Sequence, residues 1–383
     1  MIGIWISNGT RQNKASGPDG VSNKLVECLF TGRSDDEATS QLQQKTLGLF
    51  CEVAKKVATS KLNVNVLRAM NGNRGVFFEK PNSDKLRVIR IANCWGNLCS
   101  KVFLQVFNLR DIFKSKQLNQ CKNGTEMLIH SAQYAFSNMS KTHKESDEGV
   151  AHALTQMDIA TAFDSVTRQT VDRGTTECDQ RTIGKIVIDN MGCRAKTTLP
   201  IVEMGSIQSL TLEGNGDSLR QGDALSGCTF GMCIQETLVQ ADAAFADNIY
   251  LTSTIQELPN RLDKIEEDLA DRGFSIKPQS KEILVIGELP PEKTDELTER
   301  GYRLILRENG LEDYGFMVMG TPIGSNEYIS KMVRATVNTI IENTMAVTDL
   351  LADVAPKELL LYVSQSVLNQ FSYLNRTTAL SGS

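Results

Sequence analysis

The chain has 383 residues, of which 40% are hydrophobic and 23% are charged, proportions that are typical of globular proteins. Its uninterrupted apolar runs are a few residues long, whereas a membrane-spanning helix needs roughly 20, and its first residues lack the features of a secretory signal. Because the nine cysteines form no repeated close pairs, we expect an intracellular protein with reduced thiols, and neither a membrane protein nor a disulfide-linked secreted domain.

The net charge of −5 is unevenly distributed along the chain. Residues 1–150 carry 21 basic and 13 acidic side chains, a net charge of +8, whereas residues 151–383 carry 20 and 33, a net charge of −13. The basic first part could neutralise the phosphates of a nucleic acid, especially between Lys55 and Lys122. It could equally balance the acidic remainder and serve solubility, and the charges alone leave both interpretations open.

The first predicted elements are a helix and a pair of strands. Residues 40–58 place apolar side chains at helical spacing and predict an amphipathic helix. Residues 74–90 predict two short strands around a polar turn, and the polar, unperiodic residues 137–150 predict a surface loop. The apolar segment 154–159 predicts a strand that carries Asp158.

The second part of the chain begins with another predicted strand, around Asp247. Residues 259–273 predict a helix with a proline near its start and a glycine at its end, and residues 283–286 predict a strand. Helical spacing then continues from Gly324 to about Tyr373. Strands mixed with helices and followed by a helical tail predict the α+β class.

Asp158 and Asp247 are the candidate metal ligands. Each lies in a predicted apolar strand, and a carboxylate there must be solvated, paired or metal-bound, because burying a bare charge is costly. Two such strands side by side would bring both carboxylates to one point, which suits phosphoryl transfer with two Mg²⁺ ions about 4 Å apart. Taken singly, each aspartate could instead cap a helix or a turn.

The segments around these aspartates occur in an order that is typical of one family. MDIATAFDSV at 157–166, LRQGDALSG at 219–227 and FADN at 245–248 resemble motifs A, B and C of the reverse transcriptases of retrotransposons without long terminal repeats. Flanking segments resemble further motifs of that family, in the same order: KASGPDGVSNKLVE (14–27), EKPNSDKLRVIRI (79–91), NGTEMLIHSAQYA (123–135), GFSIKPQSKEILVIG (273–287), GFMVMGTPIGS (315–325) and SYLNRT (372–377).

This resemblance implies a right-hand polymerase architecture within the α+β class. The fingers would occupy residues 1–150, and an antiparallel-sheet palm would occupy residues 151–325. Residues 326–383 would form a helical thumb that is truncated. The implied activity is RNA-directed DNA polymerisation with two Mg²⁺ ions, for which Mn²⁺ could substitute. The implied partners are an RNA template, a DNA primer and deoxynucleoside triphosphates, with no membrane, and the chain would be the polymerase core of a larger retroelement protein.

The same resemblance assigns roles in catalysis. Asp158 and Asp247 would bind the two metal ions, and the backbone carbonyl of Ile159 would complete one coordination shell. Lys281 matches the lysine of motif D, which would protonate the pyrophosphate leaving group. Gly320 would lie in the turn of the primer grip.

The resemblance also assigns contacts to the nucleotide and the template. Phe163 would lie beneath the sugar and exclude a 2′-hydroxyl, or it could be an ordinary core phenylalanine. Gln221 and Gly222 would contact the nucleotide and the template, and a glycine there lets the backbone approach closely. Three cations of the fingers would meet the triphosphate, although each could instead be a solvated surface charge: Lys80, Lys85 and Arg87.

Asn248 departs from the family pattern, which has a second aspartate at this place in motif C. An amide oxygen can bind Mg²⁺ but carries no charge, and lost electrostatic stabilisation of this kind typically costs on the order of a hundredfold in rate. Two hypotheses follow: an active polymerase with Asn248 in its catalytic set, or a catalytically impaired relic that binds nucleic acid. A third, an interaction protein unrelated to nucleic acid, would require every motif match to be accidental.

Overall fold

The computed structural model describes residues 17–31, 36–80, 83–113, 116–145, 150–192, 196–203, 206–213, 218–307 and 313–378. The helices in these ranges are α1 (Asn23–Thr31), α2 (Glu37–Ala58), α3 (Val64–Met70), α4 (Cys94–Val106), α5 (Gly124–Glu145), α6 (Ala162–Ser165), α7 (Arg168–Glu177), α8 (Arg181–Gly192), α9 (Ser226–Cys233), α10 (Leu258–Asp271), α11 (Pro291–Glu299), α12 (Asn326–Leu351), α13 (Pro356–Tyr362) and α14 (Leu368–Thr378). The strands are β1 (Asn73–Lys80), β2 (Ser83–Ala92), β3 (His152–Asp158), β4 (Lys196–Glu203), β5 (Ser206–Glu213), β6 (Ala243–Phe245), β7 (Asn248–Thr254), β8 (Glu282–Ile286), β9 (Arg303–Ile305), β10 (Gly315–Val318) and β11 (Thr321–Gly324).

Helix α2 confirms the helix that was predicted for residues 40–58. Its N-terminus is capped by Asp36, whose carboxylate accepts hydrogen bonds from the backbone N–H groups of the first turn. Phe50, Ala54 and Val57 are buried on one face, at the helical spacing that the sequence indicates. The strand pair predicted within residues 74–90 is also confirmed, as the antiparallel hairpin β1–β2.

The surface loop predicted for residues 137–150 is wrong as far as Glu145. Helix α5 continues through this polar segment, and residues 146–149 lie outside the described ranges. Met139 is buried and Phe136 packs against the same core, whereas Ser137 and Lys141 are exposed. Because a few apolar side chains on one face suffice to dock the helix, the high polarity of the other face does not end it.

The chain forms two compact units. Unit 1 contains a sheet of strand order β2-β1-β4-β5, in which β1 is antiparallel to β2 and parallel to β4. The predicted division into fingers, palm and thumb follows other boundaries and stays a prediction. Unit 1 comprises residues 1–114, 161–236 and 269–274, and unit 2 comprises residues 115–160, 237–268 and 275–383.

Unit 2 contains a five-stranded sheet of order β6-β7-β3-β8-β9. Its central strand β3 is antiparallel to both neighbours, β7 and β8. The sheet is mixed, because β9 is parallel to β8; helix α11 lies between them in the chain and allows this crossover. Strands β6, β7, β3 and β8 form the antiparallel sheet that the sequence predicts, β9 is the exception, and the α+β class is confirmed.

The core of unit 2 lies between this sheet, helix α5 and the hairpin β10–β11. The hairpin turns through Met319 and Gly320, both with positive φ, as tight two-residue hairpin turns require. The Tyr373 hydroxyl of α14 donates a hydrogen bond to the Met319 carbonyl at 2.6 Å. The predicted helical tail is thus confirmed, and it is fastened to the hairpin.

Within the described ranges, no helix combines the length and the apolarity that crossing a bilayer would require.

Candidate active site

The two candidate carboxylates are brought together at the end of the central strand of unit 2. Asp158 is the last residue of β3 and is paired in register with Asn248, the first residue of β7. Asp247 lies one residue earlier, in the turn between β6 and β7 rather than inside a strand as predicted. The Ile159 N–H donates to the Asp247 carbonyl at 2.9 Å, so the backbones of the two segments are joined directly.

The carboxylates of Asp158 and Asp247 are close enough to repel each other electrostatically. Burial raises the pKa of the Asp158 carboxyl; the hydrogen bond from Lys277 opposes this shift, and the Asp247 carboxylate adds to it. The buried Tyr250 hydroxyl also has a raised pKa, first through burial and then through both carboxylates. The convergence that the sequence predicts is therefore present in unit 2, with Asn248 half-buried beside it.

The two oxygens of Asp158 have different surroundings. Oδ2 accepts a hydrogen bond and ion pair from the Lys277 ammonium. Oδ1 is buried and accepts no hydrogen bond from any described residue. Since a buried charged oxygen normally has a partner, Oδ1 could serve as a ligand for a cation.

Lys277 was missed at the level of sequence, although it lies four residues before Lys281 in the segment that resembles motif D. Its N–H donates to the Asp158 carbonyl at 2.8 Å, and the Asp158 N–H donates to Ser280 Oγ at 2.9 Å. Ile276 forms an isolated bridge with Ile159. Lys277 is thus fixed through its backbone beside the carboxylate that its side chain contacts.

Gln117 is a second residue that sequence analysis missed. Its side chain is fully buried, its Oε1 accepts from the Ala246 N–H at 2.9 Å, and its Nε2 donates to the Ala246 carbonyl at 3.2 Å. Ala246 has φ of +53°, a conformation that alanine rarely adopts. Gln117 therefore supports the strained turn that presents Asp247.

Lys281, the lysine predicted to protonate the leaving group, is held by Glu266. Its ammonium donates to the Glu266 carboxylate at 2.8 Å and lies 5.0 Å from the centre of the Tyr302 ring. Burial acts to raise the pKa of Glu266, but hydrogen bonds from Lys281 and Tyr302 and the charge of Arg300 lower it below its ordinary value. The structure thus accounts for Lys281 as an ion-pair partner, and its catalytic role stays a proposal.

Phe163 lies in unit 1 and packs as part of an aromatic cluster. Its ring stacks on the buried Phe230 with centroids 5.4 Å apart, and Phe230 meets Phe274 edge to face. The Phe163 carbonyl accepts a hydrogen bond from the Leu219 N–H at 3.0 Å. Phe163 as a whole is half-buried beside this cluster.

Gly222 and the half-buried Gln221 lie in a turn before α9. Gly222 has φ of +108°, and a Cβ atom there would lie 2.1 Å from the Arg90 carbonyl oxygen on β2. Gly222 therefore permits a close approach to the protein's own backbone within unit 1, and its contact with the nucleotide and the template stays a prediction. Asp223 accepts a hydrogen bond from the Leu225 N–H at 2.8 Å and stabilises the same turn.

The predicted triphosphate-binding cations lie on one hairpin of unit 1. Lys80 is the last residue of β1, and Lys85 and Arg87 belong to β2, with Arg87 opposite Phe78. Their side chains lie outside the described part of the structure. Gly320, the predicted primer-grip residue, lies in unit 2 at the turn of β10–β11, with φ of +80°.

Two adjoining carboxylates at the end of the central strand of a sheet are the arrangement that the sequence predicts for a polymerase palm. Residues 80–302 match the family described as reverse transcriptase (RNA-dependent DNA polymerase). The chain belongs to this family, and the predicted right-hand polymerase class is confirmed. No curated protein matches the chain.

The chain is also similar to solved telomerase structures. Apo telomerase from Candida tropicalis aligns with 67% of this chain and 46% of that chain, with 12% identity and a TM-score of 0.41. The same telomerase truncated from its C-terminal domain aligns with 68% and 54%, with 11% identity and a TM-score of 0.39. Telomerase from Candida albicans, in complex with a TWJ fragment of telomeric RNA, aligns with 74% and 49%, with 9% identity and a TM-score of 0.41. This chain spans about half the length of those chains.

Proposed function

We propose that this chain is the polymerase core of a retroelement protein of the type without long terminal repeats. It would extend the 3′-hydroxyl of a DNA primer with deoxynucleoside triphosphates on an RNA template. The observation that carries the proposal is the pairing of β3 with β7, which places Asp158 and Asp247 side by side at the end of β3, in a chain of the reverse transcriptase family. The motif resemblance described above supports the retroelement origin.

The carboxylate pair fits a divalent cation. Oδ1 of Asp158 is buried without a hydrogen-bond donor among the described residues, and the Asp247 carboxylate lies beside it. Carboxylate oxygens are hard ligands of the kind that Mg²⁺ and Mn²⁺ prefer, and the Ile159 carbonyl would be a further ligand. A divalent cation bound there would neutralise charge on the reacting phosphates and favour deprotonation of the primer hydroxyl.

The remaining roles belong to residues of the chain itself. Lys281 would donate a proton to the pyrophosphate, for which it must leave Glu266, and Gly320 would help to position the primer end. The exposed part of Phe163 would crowd a ribose 2′-hydroxyl, and Gln221 would contact the incoming nucleotide or template beside the turn that Gly222 permits. The cations Lys80, Lys85 and Arg87 would bind the triphosphate.

A second candidate function is a catalytically impaired relic that still binds nucleic acid. Two observations favour it: Asn248 brings no charge to the site, and Lys277 already pairs with one oxygen of Asp158. Together they reduce the negative charge that would hold divalent ions. Restoration of incorporation by Asn248→Asp would mark the chain as a recently impaired polymerase.

Primer extension on an RNA template distinguishes the two candidates. We expect the folded chain to incorporate deoxynucleotides with Mg²⁺ or Mn²⁺. Asp158→Ala should abolish incorporation, because it removes the carboxylate that would bind the metal ion. Arg303→Ala is the matched control, since it removes an exposed side chain that pairs with Glu282 elsewhere in unit 2. Salt-sensitive binding of an RNA–DNA hybrid without incorporation under either metal ion would overturn the polymerase and favour the relic.

A further inference from the structure

Lys277 changes the charge of the candidate active site. The carboxylates of Asp158 and Asp247 bring two negative charges, Asn248 brings none, and Lys277 adds one positive charge in direct contact with Asp158. The side chains of Lys277 and Asp158 are 27% and 22% exposed, so solvent screens this ion pair only in part. The local net charge is therefore −1.

The position of Lys277 is set by the backbone. Its N–H donates to the Asp158 carbonyl at 2.8 Å, and two residues away the Ala160 N–H donates to the Ser275 carbonyl at 2.7 Å. Pro278 follows at once and begins a short 3₁₀ turn, whose Ser280 hydroxyl donates to the Lys277 carbonyl at 2.9 Å. These bonds hold the lysine beside β3 whether or not its side chain is paired.

The contact occupies an oxygen that a two-ion site would use. The Lys277 ammonium uses Oδ2 of Asp158 as its hydrogen-bond acceptor, whereas Oδ1 has no donor among the described residues. A second ion at Asp158 would have to share Oδ2 with the ammonium or displace it. Within the described residues, no cluster of three or more acidic, histidine or cysteine side chains offers a replacement ligand set. The oxygens that remain suit one divalent cation.

We infer that Lys277 is an internal counter-cation that takes the place of one divalent ion, so that Asp158 and Asp247 bind a single Mg²⁺ or Mn²⁺. This inference rests on the proposed function, because it concerns the metal site of the same reaction. It explains how a chain with Asn248 in motif C keeps its charges balanced. Asn248 removes one negative charge, and the loss of one divalent ion together with the gain of the Lys277 ammonium removes one positive charge in total. Lys277 acts here through Asp158 and is a positioning residue.

Titration of the full chain with Mn²⁺ tests this inference without any need for activity. Free Mn²⁺ is followed by its electron paramagnetic resonance signal, which gives both the number of ions bound and their affinity. We expect one ion per wild-type chain. For Lys277→Met, which removes the charge and keeps the length, we expect a second ion, or at least about tenfold tighter binding of the first, since an adjacent positive charge is removed.

Three variants serve as controls. Lys277→Arg keeps the charge and should bind one ion as the wild type does. Lys331→Met removes a lysine that pairs with Asp313 elsewhere in unit 2, and should leave both the number of ions and their affinity unchanged. Asp158→Asn should abolish the binding in every background.

The wild-type titration decides the matter even if Lys277→Met fails to fold. Two ions bound to the wild type, none bound at all, or a folded Lys277→Met with unchanged stoichiometry and affinity would each overturn the inference. Failure of the proposed function gives a different pattern: one bound Mn²⁺ that Asp158→Asn removes, together with no primer extension. The two failures are therefore distinguishable.

Discussion

The side-chain amide of Gln117 hydrogen-bonds both the N–H and the carbonyl of Ala246, the residue before Asp247. This pair of bonds reproduces the pattern of a neighbouring strand, and Gln117 also forms an isolated parallel bridge with Ala244. The adjoining Lys116 ammonium donates to the carbonyls of Val239 and Ala241. The turn that carries Asp247 is thus held from its side by one short segment.

Gln117→Leu should destabilise the protein and weaken metal binding together. A buried leucine leaves the N–H and carbonyl of Ala246 without partners, which should lower the free energy of unfolding by roughly 2–5 kcal/mol. The positive φ of Ala246 then has less to support it, so Asp247 should lose its position and Mn²⁺ affinity should fall. Urea unfolding and Mn²⁺ titration measure the two effects. Gln256→Leu, at an exposed position, is the control, and an equal effect there would contradict the role of Gln117.

Gly222→Ala should be far more harmful than Gly320→Ala. Both glycines have positive φ, but a Cβ at Gly222 would meet the Arg90 carbonyl at 2.1 Å, whereas none of the described atoms lies within 4 Å of a Cβ at Gly320. We expect losses in unfolding free energy of roughly 2–4 kcal/mol for Gly222→Ala and about 1 kcal/mol for Gly320→Ala. Equal urea midpoints for the two variants would show that the turn before α9 does not lie against β2.

Glu266→Gln should reveal a pH-dependent contribution to stability. The lowered pKa of Glu266 means that its ionised form stabilises the fold above the ordinary glutamate pKa. That stabilisation is lost as the pH falls through the lowered value. The urea midpoint of the wild type should therefore exceed that of Glu266→Gln at about pH 7, and the difference should shrink below about pH 4. A difference that stays constant over this range would contradict the assigned ion pair with Lys281.

The basic first part of the chain should make nucleic-acid binding strongly dependent on salt. Affinity for an RNA–DNA hybrid, titrated against ionic strength, should fall steeply, because each neutralised phosphate adds roughly 0.7–0.9 to the logarithmic slope. Neutralising the three cations of hairpin β1–β2 should make that slope shallower by roughly two. The variant carries alanine in place of Lys80, Lys85 and Arg87.

A matched triple variant controls for net charge in this experiment. It neutralises three exposed cations of the acidic remainder, where we expect little effect on the slope: Arg181, Lys185 and Lys264. Equal changes of slope in both triple variants would show that net charge, and not the hairpin, governs the binding.

Local sequence patterns predicted the elements whose buried side chains recur at regular spacing along the chain. Strand β3 buries Ala153, Leu154 and Met157, so a strand that carries Asp158 was predictable from the sequence. The strand begins two residues before the predicted range of 154–159 and ends one residue before its end. The position of Asp247 in a turn was not, because the turn depends on a positive φ at Ala246, a residue that gives no such signal. Helix α5 beyond residue 136 is stabilised by tertiary packing that its polar sequence does not reveal.

The contacts that complete the candidate site depend on non-local pairing. Lys277 meets Asp158 across 119 residues of sequence, and Gln117 meets Ala246 across 129. Both are common residue types in unexceptional local sequence. Their roles depend on the register in which β3 pairs with β7, and on the return of the segment after α10 to β3. No local sequence pattern determines either pairing.

The proposed activity requires the Asp158 and Asp247 carboxylates to bind the same cation. A crystal structure of the chain with Mn²⁺, measured at a wavelength at which manganese scatters anomalously, tests this directly. We predict an anomalous peak within roughly 2.0–2.4 Å of Asp158 Oδ1 and of one Asp247 oxygen, with the Lys277 ammonium still on Oδ2. Carboxylates that point into different regions, or a peak that neither aspartate touches, would contradict the account.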